Sequence, residues 1–119
     1  MILLDTSVWV EHFRNRASAA AAVLEKGAVL VHPYVVGELA CGNLARRAEV
    51  LALLRSLPNV TVATDDEVLA FIDSRQIAGR GIGYIDAHLL ASAFLENTRL
   101  WTLDPRLAEV ATQLGVAHH

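Results

Sequence analysis

Short apolar runs alternate with longer amphipathic stretches along the whole chain. Runs of strand length lie at residues 2–4, 28–31, 60–63 and 100–103, with a marginal fifth at 116–117. Between them apolar residues recur at helical spacing. This spacing predicts a first helix around residues 8–13 and further helices over 17–26, 33–44, 46–57, 64–77, 85–96 and 104–115. Strands that alternate with helices predict an α/β fold with a parallel sheet and right-handed crossovers.

Two acidic residues follow predicted strands directly. Asp5 closes the first apolar run and Asp104 follows the run at 100–103. Parallel strands end at the same edge of a sheet, which is where α/β proteins place their ligands. If these two strands are neighbours, both carboxylates come within reach of one ion. Each also suits a helix N-cap, and Asp104 precedes Pro105 in the order typical of a helix start.

Two further acids lie within predicted helices. Glu38 is in the middle of its helix, where capping does not explain it, and small neighbours such as Gly37 and Gly42 permit close approach of a ligand. Asp86 heads an apolar stripe formed by Leu89, Leu90, Ala93 and Phe94. An ionised carboxylate among apolar groups is costly unless a cation compensates it. Glu38 therefore indicates function more strongly than fold, whereas Asp86 can either cap its helix or point inward at a cation.

Together, Asp5, Glu38, Asp86 and Asp104 form a candidate metal site. Oxygen ligands without Cys or paired His favour Mg²⁺ or Mn²⁺ over zinc. Such a site activates water for phosphodiester hydrolysis. The other acids have ordinary explanations: Asp65, Asp66 and Glu67 cluster at one predicted helix start, and the remainder suit solvated helix faces.

Composition narrows the class of protein. The 119 residues are 54% hydrophobic and suit one domain, yet no apolar stretch is long enough to cross a membrane. The excess apolar surface predicts contact with other protein, in a homodimer or with a partner.

A single cysteine, Cys41, predicts a reducing cytoplasm and suits an inert core position. The net charge of −3 argues against nucleic-acid binding by itself, but bound cations at the acid cluster would offset it.

The four acids in this order, with Asp5-Thr6-Ser7-Val8-Trp9 near the start and Thr102-Leu103-Asp104 near the end, carry a resemblance to a known family. The chain resembles the PIN-domain ribonucleases, and more narrowly the VapC toxins of bacterial type II toxin–antitoxin modules. The resemblance extends over the whole chain. One departure is Leu107, where many relatives have an aromatic residue; we expect this position to serve packing only.

The resemblance implies a single PIN-like domain over residues 1–119, folded as a three-layer α/β/α sandwich around a parallel sheet of four to five strands. It implies a Mg²⁺-dependent endoribonuclease that acts on tRNA or rRNA, forms a homodimer in the cytoplasm and is inhibited by a cognate VapB-like antitoxin. Carried over by position, Asp5, Asp86 and Asp104 bind metal, and Glu38 is a further ligand or positions water. The hydroxyls of Thr6, Ser7 or Thr102 are candidates to hydrogen-bond the cluster.

Two other functions remain open at this point. One is a metal-independent ribonuclease that uses His12, His32 or His88 as general acid and base. We expect all three to be surface or loop residues, which argues against that role. The other is a non-catalytic binding or regulatory module of the same fold. Stabilisation by Mg²⁺ or Mn²⁺ distinguishes a metal site from such a module.

Overall fold

A computed structural model describes residues 1–119. It contains three short strands and seven helices, and every predicted helix is present. In chain order the elements are β1 (Ile2–Leu4), α1 (Thr6–Arg14), α2 (Ala19–Glu25), β2 (Val29–Leu30), α3 (Pro33–Cys41), α4 (Arg47–Ser56), α5 (Asp65–Ser74), α6 (Tyr84–Glu96), β3 (Arg99–Trp101) and α7 (Pro105–Gln113).

The strands form a parallel sheet with β1 in the centre. The order is β2-β1-β3, with Leu3 opposite Leu30 on one side and Leu100 on the other. Strands β1 and β3 are therefore neighbours, which is the condition stated above for Asp5 and Asp104 to lie close together. The α/β fold with a parallel sheet is confirmed.

The sheet is narrower than the predicted four to five strands. The segments expected at 60–63 and 116–117 contribute only isolated parallel bridges, Val31 to Asn59 and Leu100 to Ala117. In the first segment Val62, three residues beyond the bridge, is 45% exposed. These bridges extend the sheet by one residue pair at each edge.

Two helices end earlier than the sequence pattern predicts, because the backbone leaves helical geometry there. The helix predicted over 33–44 ends at Cys41, because Gly42 adopts an extended backbone. The helix predicted over 64–77 ends at Ser74, and Gln76 beyond it has a positive φ of 56°. Helix α5 begins with the expected capping box, in which Thr64 and Glu67 exchange side-chain and backbone hydrogen bonds.

The main core is a cluster of 23 buried apolar residues gathered from the sheet and the helices around it. Leu107 is fully buried, which confirms its expected packing role. The expectation that Cys41 is a core residue is wrong: helix α3 buries the face that carries Val35 and Leu39, and Cys41 lies on the exposed side. None of the helices has the length and apolar character needed to cross a membrane.

Candidate active site

Asp5 occupies the end of β1 and the N-cap of α1. Its Oδ1 accepts hydrogen bonds from the Val8 amide at 3.1 Å and the Ser7 hydroxyl at 2.6 Å, and its Oδ2 accepts one from the Thr102 hydroxyl. The side chain is only 5% exposed. A buried carboxylate that accepts three hydrogen bonds is fixed in orientation.

Asp104 lies three residues beyond β3, in a turn that Thr102 connects to Asp5. It is the N-cap of α7, and its Oδ1 accepts a hydrogen bond from the Arg106 amide at 2.9 Å. Its own amide donates to the Thr102 hydroxyl oxygen at 3.0 Å. Thr102 thereby joins the two carboxylate-bearing turns. Both acids thus cap helices, and both also face the edge of the sheet.

Glu38 reaches the same edge from the middle of α3. Its Oε1 accepts a hydrogen bond from the Thr6 hydroxyl at 2.7 Å, and Thr6 directly follows Asp5. Unlike Asp5, Glu38 is exposed. It is therefore the member of the four with the greatest access to solvent and to a substrate.

Asp86 completes the set from the first turn of α6, where its Oδ2 accepts a hydrogen bond from the Gly83 amide at 3.4 Å. Burial raises the pKa of Asp86 above its ordinary value, and the negative charges of Asp5, Asp104 and Glu38 raise it further. The Gly83 hydrogen bond opposes this shift. We name Asp5, Glu38, Asp86 and Asp104 the carboxylate cluster.

The carboxylate cluster has the donor chemistry of a hard-cation site but not a closed coordination shell. No three Asp, Glu, His or Cys side chains of the chain converge closely enough to hold one ion directly between them. All four members offer oxygen only, and their mutual repulsion at Asp86 is what a cation would relieve. Mg²⁺ usually keeps several waters and binds through one or two carboxylates. The cluster therefore fits a hydrated divalent ion.

Two openings adjoin the cluster through Glu38. A cleft of about 390 Å³ between α1 and α3 includes Thr6 and Glu38 together with the basic residues Arg14 and Arg16. A second, wider opening of about 710 Å³ lies on the other side of Glu38. We call it the tyrosine groove; it is lined by Pro33, Tyr34, Gly37, Glu38, Cys41, Tyr84 and Ile85.

All three candidate histidines are buried, so the expectation of a surface position is wrong. His12 and His88 lie within helices, whereas His32 lies between β2 and α3. His32 and His88 are fully buried and His12 is 6% exposed. The Nδ1 of His32 accepts the Tyr34 amide at 3.0 Å and so caps α3, and the Nδ1 of His12 lies 3.0 Å from the Ser18 hydroxyl. Burial, and to a smaller extent the neighbouring His88, lowers the pKa of His32 to about 4. None of the three is hydrogen-bonded to the carboxylate cluster.

Asp65, at the start of α5, makes contacts that the sequence pattern did not predict. Its Oδ1 accepts the Tyr84 hydroxyl at 2.8 Å and lies 3.1 Å from the Nε2 of His88. Because the carboxylate only accepts, His88 carries its proton on Nε2. The contact joins α5 to the N-terminal turn of α6, and no local pattern predicts a pairing between residues so far apart in sequence.

Comparison with known proteins agrees with this architecture. The family model described as "PIN domain" matches residues 2–113. Two curated proteins, each named Ribonuclease VapC32, from Mycobacterium tuberculosis strains CDC 1551 / Oshkosh and ATCC 25618 / H37Rv, are each 44% identical over 118 residues, which cover 98% of this chain and 95% of theirs. The chain therefore belongs to the PIN-domain family, as a VapC-like member.

Proposed function

We propose that this chain is a Mg²⁺-dependent endoribonuclease, the toxin of a type II toxin–antitoxin module, and that the carboxylate cluster is its active site. The observation that carries the proposal is the placement of Asp86 beside three other carboxylates, where burial and their charges raise its pKa. Such an arrangement costs folding free energy unless a cation binds. The name of the VapC32 relatives supports RNA as the substrate.

The proposed residue roles follow from exposure and hydrogen bonding. Asp5, Asp86 and Asp104 bind a hydrated divalent ion, one or two of them directly and the rest through its water molecules. Mn²⁺ is the alternative to Mg²⁺. When bound, the ion acidifies a water molecule and offsets the charge of the phosphate. Glu38, which is exposed and oriented by Thr6, is a further ligand or positions the attacking water.

The proposed reaction is in-line hydrolysis of an RNA phosphodiester. The water oxygen bonds to phosphorus, the bond from phosphorus to the 3′ oxygen breaks, and that oxygen takes up a proton. The products carry a 5′-phosphate and a 3′-hydroxyl. The α1–α3 cleft supplies Arg14 and Arg16 beside Glu38, and their guanidinium groups suit contact with RNA phosphates.

The proposed partners follow from the family. We infer a tRNA or rRNA substrate, a VapB-like antitoxin that inhibits the chain, a homodimer and a cytoplasmic location. Exposed apolar side chains such as Leu69, Phe94 and Leu95 are consistent with burial of further surface in such assemblies.

The test is RNA cleavage by the purified chain, with tRNA and rRNA as substrates. We expect cleavage with Mg²⁺ or Mn²⁺, loss of cleavage with EDTA and recovery when excess ion is restored. Ligation of an adapter that requires a 5′-phosphate identifies the product ends. Cleavage that persists in EDTA with 2′,3′-cyclic phosphate products would contradict the proposal and favour a histidine mechanism.

A further inference from the structure

The tyrosine groove presents two exposed aromatic rings next to the carboxylate cluster. Tyr34, near the start of α3, is 38% exposed, and Tyr84, the first residue of α6, is 44% exposed. Glu38 belongs both to this groove and to the cluster. Whatever occupies the groove is therefore adjacent to the proposed reaction centre.

Both rings are held in place by a buried residue between them. The ring of His88 packs edge-to-face against Tyr34 and against Tyr84, each with ring centroids 4.7 Å apart. His32 packs against Tyr34 with centroids 5.0 Å apart, and the Tyr84 hydroxyl donates to Asp65 at 2.8 Å. Rings fixed in this way lose little conformational entropy when they bind a partner.

The residues that line the tyrosine groove indicate which kind of chemical group can bind there. Apart from Glu38, no side chain that lines the groove is charged, and no cation is present there to receive a phosphate. A neutral, flat and partly apolar group is the best match to such a surface.

We propose that Tyr34 and Tyr84 bind an unstacked base of the RNA substrate in the tyrosine groove, adjacent to the phosphate that lies at the carboxylate cluster. This inference rests on the proposed function, because it takes RNA to be the substrate. Proteins that bind single-stranded RNA commonly stack its bases on aromatic side chains. The role of both tyrosines is to position the substrate, and His88 with Asp65 positions the tyrosines.

The test measures base-dependent binding without any cleavage. Two fluorescein-labelled eight-nucleotide RNAs are compared by anisotropy in EDTA: octauridylate, and the same length of dihydrouridine, which keeps the phosphates but loses the aromatic base. We expect tighter binding of octauridylate. Tyr34→Leu and Tyr84→Leu are each expected to weaken its binding roughly 5- to 150-fold, the range measured for aromatic stacking on one base, and to leave the binding of the dihydrouridine RNA unchanged.

Matched variants separate stacking from folding. Tyr34→Phe and Tyr84→Phe keep the ring and are expected to retain binding, although Tyr84→Phe also loses the hydrogen bond to Asp65. Phe94→Leu removes an equally exposed ring (38%) outside the groove and is expected to leave the affinity for both RNAs unchanged. Thermal melting of each variant verifies that it is folded.

Equal affinity of the unsubstituted chain for the two RNAs, or equal losses for both RNAs in the leucine variants, would overturn the inference. A change in solution mass of the leucine variants without base-dependent loss would overturn it in favour of a contact with a second copy of the chain. Because no step requires cleavage, an inactive enzyme still gives a result. Failure of the proposed function and failure of this inference are therefore distinguishable.

Discussion

The Thr102 hydroxyl donates a hydrogen bond to Oδ2 of Asp5 across the ends of two neighbouring strands. The same hydroxyl oxygen accepts the amide of Asp104 at 3.0 Å. One hydroxyl thus sets the positions of two members of the carboxylate cluster that are far apart in sequence. It also explains why the turn after β3 begins with a threonine.

Removal of this hydroxyl tests whether orientation of Asp5 matters for activity. We expect Thr102→Val, which keeps the shape of the side chain, to lower kcat/KM for RNA cleavage by about 10- to 100-fold, as is typical when a partner of a metal ligand is lost. Thr102→Ser keeps the hydroxyl and is expected to retain most activity. Equal losses in the two variants would mean that packing of the methyl group, and not the hydrogen bond, is responsible.

Asp86 is expected to destabilise the chain when no metal is bound. Its pKa is raised in the folded state, so at neutral pH its ionised form favours unfolding, and this penalty disappears as the pH falls through the raised pKa. In EDTA at pH 7, Asp86→Asn should raise the melting temperature by roughly 2–5 °C, which corresponds to about 1 kcal/mol in a domain of this size. The amide oxygen still accepts from Gly83. A lower melting temperature would contradict the predicted repulsion.

Divalent ions are expected to stabilise the folded chain. An ion that binds only the folded state contributes about 2.7 kcal/mol when its concentration is 100 times its dissociation constant. The melting temperature of the unsubstituted chain should therefore rise with Mg²⁺ or Mn²⁺, and much less so in Asp104→Asn. No shift with either ion would favour a non-catalytic binding module.

His32 predicts a loss of stability in mild acid. Its pKa falls from 6.5 to about 4 on folding, so the unfolded chain takes up the proton first and stability decreases as the pH drops from about 6.5 towards 4. Between pH 7 and 5 the loss is about 2 kcal/mol for this group alone, by the same linkage. Protonation also places a hydrogen on the Nδ1 that accepts the Tyr34 amide, which breaks the cap of α3.

The matched variant for this prediction is His32→Asn, which keeps an N-cap acceptor and does not titrate. Urea unfolding at pH 7 and pH 5 should show a smaller difference in the variant than in the unsubstituted chain, even if its stability at pH 7 is lower. His12 also has a lowered pKa and contributes to the remaining slope, whereas Asp86 acts in the opposite direction. An unchanged pH dependence would mean that His32 is not the responsible group.

Local patterns predicted the helices well because they carry their own start signals. Thr64 and Glu67 identify the start of α5, and Asp104 followed by Pro105 identifies that of α7. The length of the outer strands was overestimated. An apolar run such as 60–63 indicates a strand, but it does not show how many of its residues can pair with the neighbouring strand. The prediction that Asp5 lies near Asp104 used the fact that neighbouring parallel strands end at the same edge of a sheet. Strands β1 and β3 are indeed parallel neighbours.

Contacts between elements that are distant in sequence could not be predicted from the sequence. His32 beside Pro33 looked like a loop residue, yet its ring is fully buried as the cap of α3. Asp65 looked like one of three interchangeable acids, yet it is the one that binds Tyr84 and His88. Both roles depend on how α3, α5 and α6 pack together, and that arrangement has no signature in any single segment.

The most direct test of the central claim compares RNA cleavage by Asp5→Asn, Glu38→Gln, Asp86→Asn and Asp104→Asn with that by Asp66→Asn, an exposed acid outside the cluster. Each change removes a charge and preserves shape. With Mg²⁺ present and each variant shown to be folded, we predict that the four cluster variants lose at least about 100-fold in kcat/KM, beyond what outer partners typically supply, while Asp66→Asn retains activity. Near-normal cleavage by Asp5→Asn, or an equal loss in Asp66→Asn, would contradict the assignment of the carboxylate cluster as the active site.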